Sequence, residues 1–459
     1  MLRLHDTATG TLETITPVDG GPVRLYVCGP TVYGPPHIGH GRLTLVYDVL
    51  RRYIESMGTV VRHVSNVTDI DDKIINRAND EGRPWRDIAA ECEEAWWSSM
   101  DRMGLAKPHE TPHATDFVPE MVELIAELAD KGAAYELDDG VYLSVAEVPS
   151  YGLLAQQSLD SLRAGARVEV VAGKRTPMDF VLWKKVKPGE PSWPSPWGAG
   201  RPGWHTECVV MSLSLLGEGF ELHGGGTDLK FPHHENERAQ AVALGRQFAA
   251  HWMHTGMVEV GGEKMAKSVG NVTDLAELLD SADPRAYRLL VLQAHYRAPM
   301  EVNPAQLEAA GQALERLDSL ARRIDEVVAS RDESGVVEPV PPSGAALTAA
   351  FRERMDDDLD TPRAMALVFE AVRAANASLA SGDVSAGLAN GRAALECAAA
   401  LGIRATTGRI ISERALILAG ERDRARSARD WAAADRIRDE LVAMGYRVED
   451  TPGGTRLYG

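Results

Sequence analysis

Residues 24–57 constrain the fold of this chain more than any other segment, because they join a strand pattern to a helix pattern across one short turn. An apolar strand at residues 24–27 ends at Cys28, a Gly/Pro-rich turn follows, and residues 43–57 have helical periodicity. Short strands and helices continue to alternate up to residue 104. Since parallel strands need a crossover connection, this alternation predicts an α/β domain with a parallel sheet.

The chain is 459 residues long, which is too long for one hydrophobic core and suggests several domains. Between about 110 and 200, a hairpin signal at Asp138-Asp139-Gly140 and a segment rich in Pro, Trp and Gly interrupt the pattern, which predicts an inserted subdomain. We expect residues 1–300 to form the α/β domain, with a loop region at about 255–300. Residues 301–404 are almost purely helical, and residues 405–459 form a small C-terminal region.

Composition narrows the class of protein. Hydrophobic residues make up 44% of the chain and charged residues 25%, as in ordinary globular proteins. No apolar run approaches the roughly 20 residues of a membrane span, and the first residues do not resemble a signal peptide, so we expect a soluble cytoplasmic protein without membrane contact. The net charge of −18 argues against nucleic-acid binding over the whole surface but leaves room for a local basic patch.

The turn after the first strand has the features of a phosphate-binding site. His37-Ile38-Gly39-His40 opens the helix, where free backbone N–H groups and the positive end of the helix dipole favour anions. His37 and His40 are three residues apart, so both imidazoles lie on one face of the first helical turn. Gly39 leaves room for a flat base against the backbone.

Two thiols, one imidazole and one carboxylate are spread through the α/β region. Cys28 ends the first strand, Cys208 lies in a later helix pattern, and His233 and Glu237 are i and i+4 on one helix face. This donor set suits a four-coordinate zinc ion, because distant cysteines in a reducing compartment favour metal binding or catalysis over disulfides. The alternative is that the cysteines are buried thiols and that His233 and Glu237 form a surface pair.

Three shorter motifs have both a functional and an ordinary interpretation. Lys264 and Lys267 lie in a glycine-flanked loop suited to neutralise a triphosphate, although most lysine-rich turns are solvated. The carboxylate cluster in residues 66–73 either organises a binding loop or supplies a helix N-cap at Thr68 or Asp69. Residues 224–228, Gly-Gly-Gly-Thr-Asp, are either a tight turn or a place where the backbone meets a nucleotide.

Arginines recur along the last helical pair, together with one tryptophan. This pattern is typical of a basic, stacking surface for single-stranded bases. Acidic residues interleave with the arginines, so an ordinary salt-bridged helix is the alternative. The residues concerned are Arg422, Arg424, Arg426, Arg429, Trp431, Arg436 and Arg438.

Taken together and in this order, the motifs resemble those of the class I aminoacyl-tRNA synthetases. Residues 37–40 are similar to the HIGH signature of that class, and residues 264–268, Lys-Met-Ala-Lys-Ser, to its KMSKS loop. Within the class, the chain resembles the cysteinyl-tRNA synthetases nearly from end to end. The segments that carry the resemblance are residues 26–33, 66–73, 111–115, 179–184, 187–193, 201–208, 223–228, 231–237, 430–435 and 449–451.

The resemblance implies a fold and a set of site residues. The fold would be a Rossmann-type parallel-sheet catalytic domain with an inserted subdomain, an all-α helical bundle and a small anticodon-binding domain. One zinc ion per chain would be held by Cys28, Cys208, His233 and Glu237. The pocket for substrate cysteine would include Cys28, Gly29, Thr68 and Trp204. ATP would contact His37, Gly39, His40, Asp228 and Lys267, and the catalytic residues would be His37, His40, Lys264 and Lys267. The tRNA anticodon would contact Arg422, Arg426, Arg429, Trp431 and Asp435.

The implied reaction is the activation of L-cysteine with ATP and Mg²⁺, followed by transfer of the cysteinyl group to tRNA-Cys on a monomeric enzyme. A zinc–thiolate bond has no good hydroxyl counterpart, so serine is rejected without an editing domain. One rival is the cysteine:glucosaminyl-inositol ligase of mycothiol biosynthesis, which would not need the arginine-bearing C-terminal helices. The rival of another class is a non-catalytic synthetase-like binding protein, against which the intact motifs argue.

Overall fold

The computed structural model describes residues 1–157, 173–261, 263–265, 272–332, 342–407, 413–428, 430–451 and 454–458. The chain divides into two units. Unit 1 comprises residues 1–312, 346–369 and 397–403, and unit 2 comprises residues 313–345, 370–396 and 404–459. The domain boundaries given above stay predictions.

Strands and helices are numbered here along the described chain. The strands are β1 (Arg3–His5), β2 (Leu12–Thr14), β3 (Val23–Val27), β4 (Val61–Ser65), β5 (Ala134–Leu137), β6 (Gly140–Leu143), β7 (Phe180–Lys185), β8 (Gly200–Pro202), β9 (Leu222–Gly226), β10 (His251–Thr255), β11 (Val258–Val260), β12 (Glu263–Lys264), β13 (Met300–Glu301), β14 (Arg447–Thr451) and β15 (Gly454–Tyr458). The helices are α1 (Ile38–Ser56), α2 (Asp72–Glu81), α3 (Trp85–Arg102), α4 (Val118–Asp130), α5 (Trp204–Leu216), α6 (Glu235–Ala243), α7 (Leu275–Ser281), α8 (Pro284–Leu292), α9 (Pro304–Asp332), α10 (Pro342–Asp356), α11 (Thr361–Ser381), α12 (Val384–Ala400), α13 (Glu413–Ser427) and α14 (Trp431–Ala443).

A four-stranded sheet in the order β10-β9-β3-β4 forms the centre of unit 1, and all its neighbouring strands are parallel. From β3 the chain passes through α1 to β4 on one side, whereas β9 leads to β10 on the other side. The strand order therefore reverses between β3 and β9. In open α/β sheets, ligands bind beside such a reversal, at the carboxyl ends of the strands. The predicted parallel α/β sheet is confirmed.

An antiparallel sheet in the order β5-β6-β7-β8 lies between α4 and α5 in sequence. The predicted hairpin at Asp138-Asp139-Gly140 is the turn between β5 and β6. Asp72, the first residue of α2, forms ion pairs with Lys184 and Arg201, which attach this inserted sheet to the α/β core. Residues 158–172 of the insertion lie outside the described part of the chain.

Helix α1 begins at Ile38 and His37 caps it through its side chain, so the prediction that residues 37–40 open this helix is confirmed. Two other local predictions were wrong, each for a physical reason. The N-cap of α2 is Asp71, whose carboxylate accepts the Lys73 N–H at 2.9 Å, rather than Thr68 or Asp69.

The second error concerns residues 224–226, which form the end of strand β9 instead of a tight turn. Glycine is needed there because a Cβ on Gly224 would overlap the ring of Tyr47. The Tyr47 hydroxyl accepts the Gly225 N–H at 2.7 Å and donates to the Met253 carbonyl at 2.7 Å. A glycine-rich strand therefore lets an α1 side chain pack directly on the sheet.

The C-terminal third is helical, as predicted, from α9 to α12. Helix α9 extends to Asp332 and α10 begins at Pro342, and the residues between them lie outside the described chain. In unit 2, α13, α14 and the β14–β15 hairpin enclose a small core that includes Leu418, Leu441 and Leu457. No helix among the described residues is long and apolar enough to span a membrane.

Candidate active site

Four buried side chains that could ligate a metal meet beyond the carboxyl end of β3. One ligand atom from each of Cys28, Cys208, His233 and Glu237 lies within 4.8 Å of all the others. The two sulfurs are 3.7 Å apart, Cys28 Sγ is 3.5 Å from Glu237 Oε1, and His233 Nε2 is 2.9 Å from the same oxygen. Cys28 directly follows β3, and the other three residues lie on α5, in the irregular turn before α6, and on α6 itself.

Burial decides between the two interpretations of these residues. His233 is 1% exposed and Glu237 is 0% exposed, so the alternative of a surface pair was wrong. Two sulfurs, one imidazole and one carboxylate in a closed site form a donor set that suits a metal ion, and zinc in particular. The residues present therefore fit a bound metal.

The pKa values of the cluster residues favour the binding of a cation. Burial raises the pKa of the Cys208 thiol, but the hydrogen bond from Cys28 and the neighbouring His233 outweigh it and lower this pKa to about 6. Burial lowers the pKa of His233, whereas the charge of Glu237 and the bond with Cys208 raise it to about 10. Burial and Cys208 raise the pKa of Cys28. A divalent cation would take the place of the His233 and Cys28 protons, as metal binding generally releases protons.

A chain of hydrogen bonds connects the cluster to two predicted pocket residues. The Gly29 N–H donates to Asn66 Oδ1 at 2.9 Å, and the Asn66 amide donates to the Thr68 hydroxyl at 3.2 Å. Thr68 in turn donates to Glu207 Oε2 at 3.0 Å. Burial and the charge of Cys208 raise the pKa of Glu207 well above its usual value. The loop after β4 is thus fixed to the end of β3 and to α5.

Aromatic and imidazole rings form the wall of the cluster. Trp204, a predicted pocket residue, stacks on His233 with ring centroids 3.9 Å apart. His205 Nδ1 lies 2.9 Å from His233 Nδ1, and His223 Nε2 lies 2.7 Å from Glu237 Oε2. Sequence reasoning assigned no role to His205 or His223, although both lie in segments that carry the family resemblance.

A second group of ligand atoms overlaps the first. Cys28 and Glu237 also lie within 4.8 Å of His223 and His234. His234 Nδ1 is 2.8 Å from His254 Nε2, and His254 Nδ1 is 2.7 Å from the Thr7 hydroxyl. The group with two sulfurs is the better zinc site, because thiolate ligands select zinc.

The predicted phosphate-binding turn follows Cys28 in the sequence. The rings of His37 and His40 are stacked, with centroids 3.6 Å apart. His37 Nδ1 accepts the His40 N–H at 3.3 Å, and His40 Nδ1 accepts the His37 N–H at 3.2 Å. A Cβ on Gly39 would stand 3.1 Å from Met265 Cε, so the lysine loop approaches the start of α1. The structure thus brings two distant motifs together.

The other predicted ATP residues have different placements. Asp228 is exposed in the turn after β9, at the carboxyl edge of the sheet. Lys264 lies on β12, whose pairing with β11 fixes its backbone, and nothing is described of its side chain. Lys267 lies outside the described residues. The roles of these three residues stay predictions.

The predicted anticodon residues lie in unit 2. Trp431 is 58% exposed, and Asp435 is also exposed, both on α14. Arg422 is buried and donates to Asp450 at 2.6 Å, and Arg426 pairs with the same carboxylate. These contacts give both arginines a structural role within the C-terminal fold. Arg429 lies outside the described residues.

Comparison with protein families gives three matches along the chain. A model of the class I (C) tRNA synthetase catalytic domain matches residues 14–312. A model of the DALR domain matches residues 350–405, and one of the cysteinyl-tRNA ligase anticodon-binding domain matches residues 412–458. The three matches follow one another in the order that the resemblance implies.

Individual relatives give the same result. The cysteine–tRNA ligase of Geobacter sulfurreducens is 44% identical over 99% of this chain and 98% of its own length. That of Pseudomonas fluorescens is 42% identical over 99% of both chains. The solved structure of Mycobacterium tuberculosis methionyl-tRNA synthetase with methionyl-adenylate shares the fold, with a TM-score of 0.61 at 14% identity over 83% of this chain and 91% of that chain. This chain therefore belongs to the cysteine–tRNA ligase family of the class I aminoacyl-tRNA synthetases.

Proposed function

We propose that this chain activates L-cysteine with ATP and transfers the cysteinyl group to the 3′ end of tRNA-Cys. The observation that carries the proposal is one short segment, residues 28–40, which joins a buried thiol of the four-residue cluster to the paired histidines of the α1 N-terminus. The same segment therefore serves the selection of the amino acid and its activation. tRNA-Cys, ATP and cysteine are the proposed substrates, and Mg²⁺ accompanies ATP.

Cys28, Cys208, His233 and Glu237 are the proposed ligands of one zinc ion. Bound zinc supplies a Lewis acid for the thiolate sulfur of substrate cysteine. Trp204 fixes the plane of His233 by stacking, and His205 and His223 orient His233 and Glu237 through their hydrogen bonds. The Gly29 N–H bonds Asn66 and the Thr68 hydroxyl bonds Glu207, so the two residues position the proposed pocket wall beside Cys28.

Activation places negative charge where α1 begins. The carboxylate of cysteine attacks the α-phosphate of ATP, a P–O bond forms, and pyrophosphate leaves. The positive end of the α1 dipole and the His37 and His40 imidazoles stabilise that charge. Lys264 and Lys267 are the proposed cations that close on the leaving pyrophosphate, and Asp228 is the proposed contact to adenosine. The terminal ribose hydroxyl of tRNA then takes the cysteinyl group and releases AMP.

The remaining proposals concern the tRNA anticodon, the oligomeric state of the enzyme and its location in the cell. Arg422, Arg426, Arg429, Trp431 and Asp435 are proposed to contribute to anticodon binding. The exposed indole of Trp431 supports stacking on a base. We expect a cytoplasmic monomer.

Charging assays test the function directly. Purified enzyme, ATP and cysteine are incubated with tRNA-Cys and, in parallel, with glucosaminyl-inositol. We expect cysteinyl-tRNA and no amide product with the amino sugar. Cysteine-dependent ATP–pyrophosphate exchange without charging of tRNA-Cys would refute the proposal.

His40→Ala tests the activation half of the site. We expect kcat for cysteine-dependent ATP–pyrophosphate exchange to fall about a hundredfold, because one donor to the developing phosphate charge is lost. Removing the capping partner of His37 should cost only about 1 kcal/mol of stability, which a urea unfolding curve measures. The affinity for cysteine should stay within about threefold, since the metal-ligating cluster is intact. An unchanged exchange rate would contradict the role given to His40.

A further inference from the structure

A buried arginine on α1, Arg42, is used by no step of the proposed reaction. The residue is 1% exposed, and its guanidinium donates to four backbone carbonyls from two separate segments of unit 1. The acceptors are the carbonyls of Met257 at 2.8 Å, His295 at 3.3 Å, Tyr296 at 3.3 Å and Ala298. Burying a guanidinium is costly, so these charge-assisted bonds are needed to keep it inside and they fix its position.

The acceptors of Arg42 lie where two strands of a small sheet begin. Met257 directly precedes β11, and Ala298 lies two residues before β13. Strand β11 pairs with β13 in parallel and with β12 in antiparallel, where Lys264 stands opposite Glu259. The backbone of Lys264 is therefore attached to α1 through β11 and the Arg42 guanidinium.

A second attachment lies on the other side of the predicted lysine loop, residues 264–268. The Ile38 N–H donates to the Thr273 carbonyl at 3.1 Å, and the Leu275 N–H donates to the Pro36 carbonyl at 3.0 Å. The described residues before and after the loop are thus both bonded to the first turns of α1, where the paired histidines lie. Of the two attachments, the one before the loop depends on a single side chain.

We propose that Arg42 is a positioning residue for cysteine activation, which holds the strand carrying Lys264 where this lysine and the His37 and His40 imidazoles act on one triphosphate. Arginine suits this task because its planar fork of donors reaches carbonyls of two segments at once. The ammonium group of a lysine is a point charge and would bond only one of the segments well. The effect on catalysis rests on the proposed role of Lys264, whereas the attachment itself does not.

Hydrogen exchange tests the attachment without substrates. In the full chain, Arg42→Lys should make the amides of residues 257–265 exchange at least about tenfold faster, because the local opening of this segment becomes easier, while β3 and β9 keep their wild-type rates. Arg24→Lys is the matched control. The Arg24 guanidinium also bonds backbone carbonyls, those of Leu216 and Gly219, but at the amino end of β3. It should leave exchange in residues 257–265 unchanged.

ATP–pyrophosphate exchange tests the effect on activation. Arg42→Lys should lower kcat at least about tenfold, since a displacement of about 1 Å in a positioning group can cost a hundredfold. KM for ATP and for cysteine should stay within about threefold, because the lysine acts on charge that develops as pyrophosphate leaves. In a Lys264→Ala background, Arg42→Lys should lower kcat by less than about twofold, because the residue that it positions is already absent.

Gly256→Ala is a second variant, which disturbs the same junction and keeps Arg42. A Cβ at this position would overlap the Ala298 carbonyl oxygen, so we expect the same faster hydrogen exchange and the same loss of kcat. Wild-type hydrogen exchange in both variants would overturn the attachment.

Two kinetic results would overturn the positioning role. One is an equal loss of kcat in Arg24→Lys and Arg42→Lys, which would indicate a general effect of stability. The other is an equal loss from Arg42→Lys with and without Lys264. A wild-type enzyme that exchanges no pyrophosphate would instead refute the proposed function, and hydrogen exchange would still decide whether Arg42 holds the strand.

Discussion

Cys208→Ser is expected to weaken cysteine binding at least about a hundredfold while ATP affinity stays within about threefold. The substitution keeps the size of the side chain but replaces a soft thiolate, whose pKa is lowered to about 6, by a hydroxyl that remains protonated. The cluster would lose one of its two sulfurs and hold zinc less tightly. Calorimetric titration with cysteine and with ATP measures the two affinities, and metal analysis of the purified variant measures bound zinc.

Cys92→Ser is the matched control, since it makes the same change at another buried thiol. Cys92 packs in a separate apolar group near Val67 and Ile88, away from the four-residue cluster. We expect its zinc content and cysteine affinity to equal those of the wild type. Equal losses of cysteine and ATP affinity in Cys208→Ser would contradict the account, because they would indicate a purely structural site.

Gly29→Ala is expected to lower cysteine activation by a comparably large factor, through steric overlap alone. A Cβ at this position would overlap the Asn66 carbonyl oxygen, which is backbone and has no rotamer to change. The loop after β4 would have to move away from Cys28, at a cost of about 1–3 kcal/mol in stability. A displacement of about 1 Å in a positioning group is enough to lower the rate of cysteine activation about a hundredfold. Urea unfolding and ATP–pyrophosphate exchange measure the two effects.

Gly311→Ala provides the comparison for Gly29→Ala. Gly311 lies in α9, and a Cβ there meets no atom within 4 Å. Alanine should stabilise the helix by about 0.5–1 kcal/mol and leave cysteine activation unchanged. Wild-type activity and stability in Gly29→Ala would show that the turn after β3 is not held as tightly as its contacts indicate.

The sequence predicts much of this fold because its periodicities are local. The alternation of strands and helices before residue 104 and the helical periodicity after residue 304 depend only on residues close together in sequence. The structure confirms both patterns, the first as part of the parallel sheet and the second as helices α9–α12. Residues 224–226, the end of strand β9, were predicted as a turn because glycine has no propensity for a strand. They are explained only by Tyr47, which lies far away in sequence and packs against them.

In the site, too, features set by residues close in sequence were predictable, whereas contacts between residues far apart in sequence were not. The spacing of His37 and His40 is a local signal, and both rings meet at the start of α1. Cys28 and Cys208 are separated by 180 residues, so spacing alone left open whether they meet. His223 carries no motif by itself, and its part in the site appears only when Glu237 lies 2.7 Å away. Arg422 looked like an exposed cation, whereas its pairing with Asp450 is a tertiary contact.

The central claim is that Cys28, Cys208, His233 and Glu237 hold zinc and thereby recognise the thiol of the substrate. Zinc K-edge X-ray absorption of the purified enzyme, with and without L-cysteine, tests it most directly. We expect zinc with two sulfur ligands at about 2.3 Å in the free enzyme and three after cysteine is added, with no change on adding L-serine. A purified, active enzyme without zinc, or a sulfur count that cysteine does not change, would contradict the account.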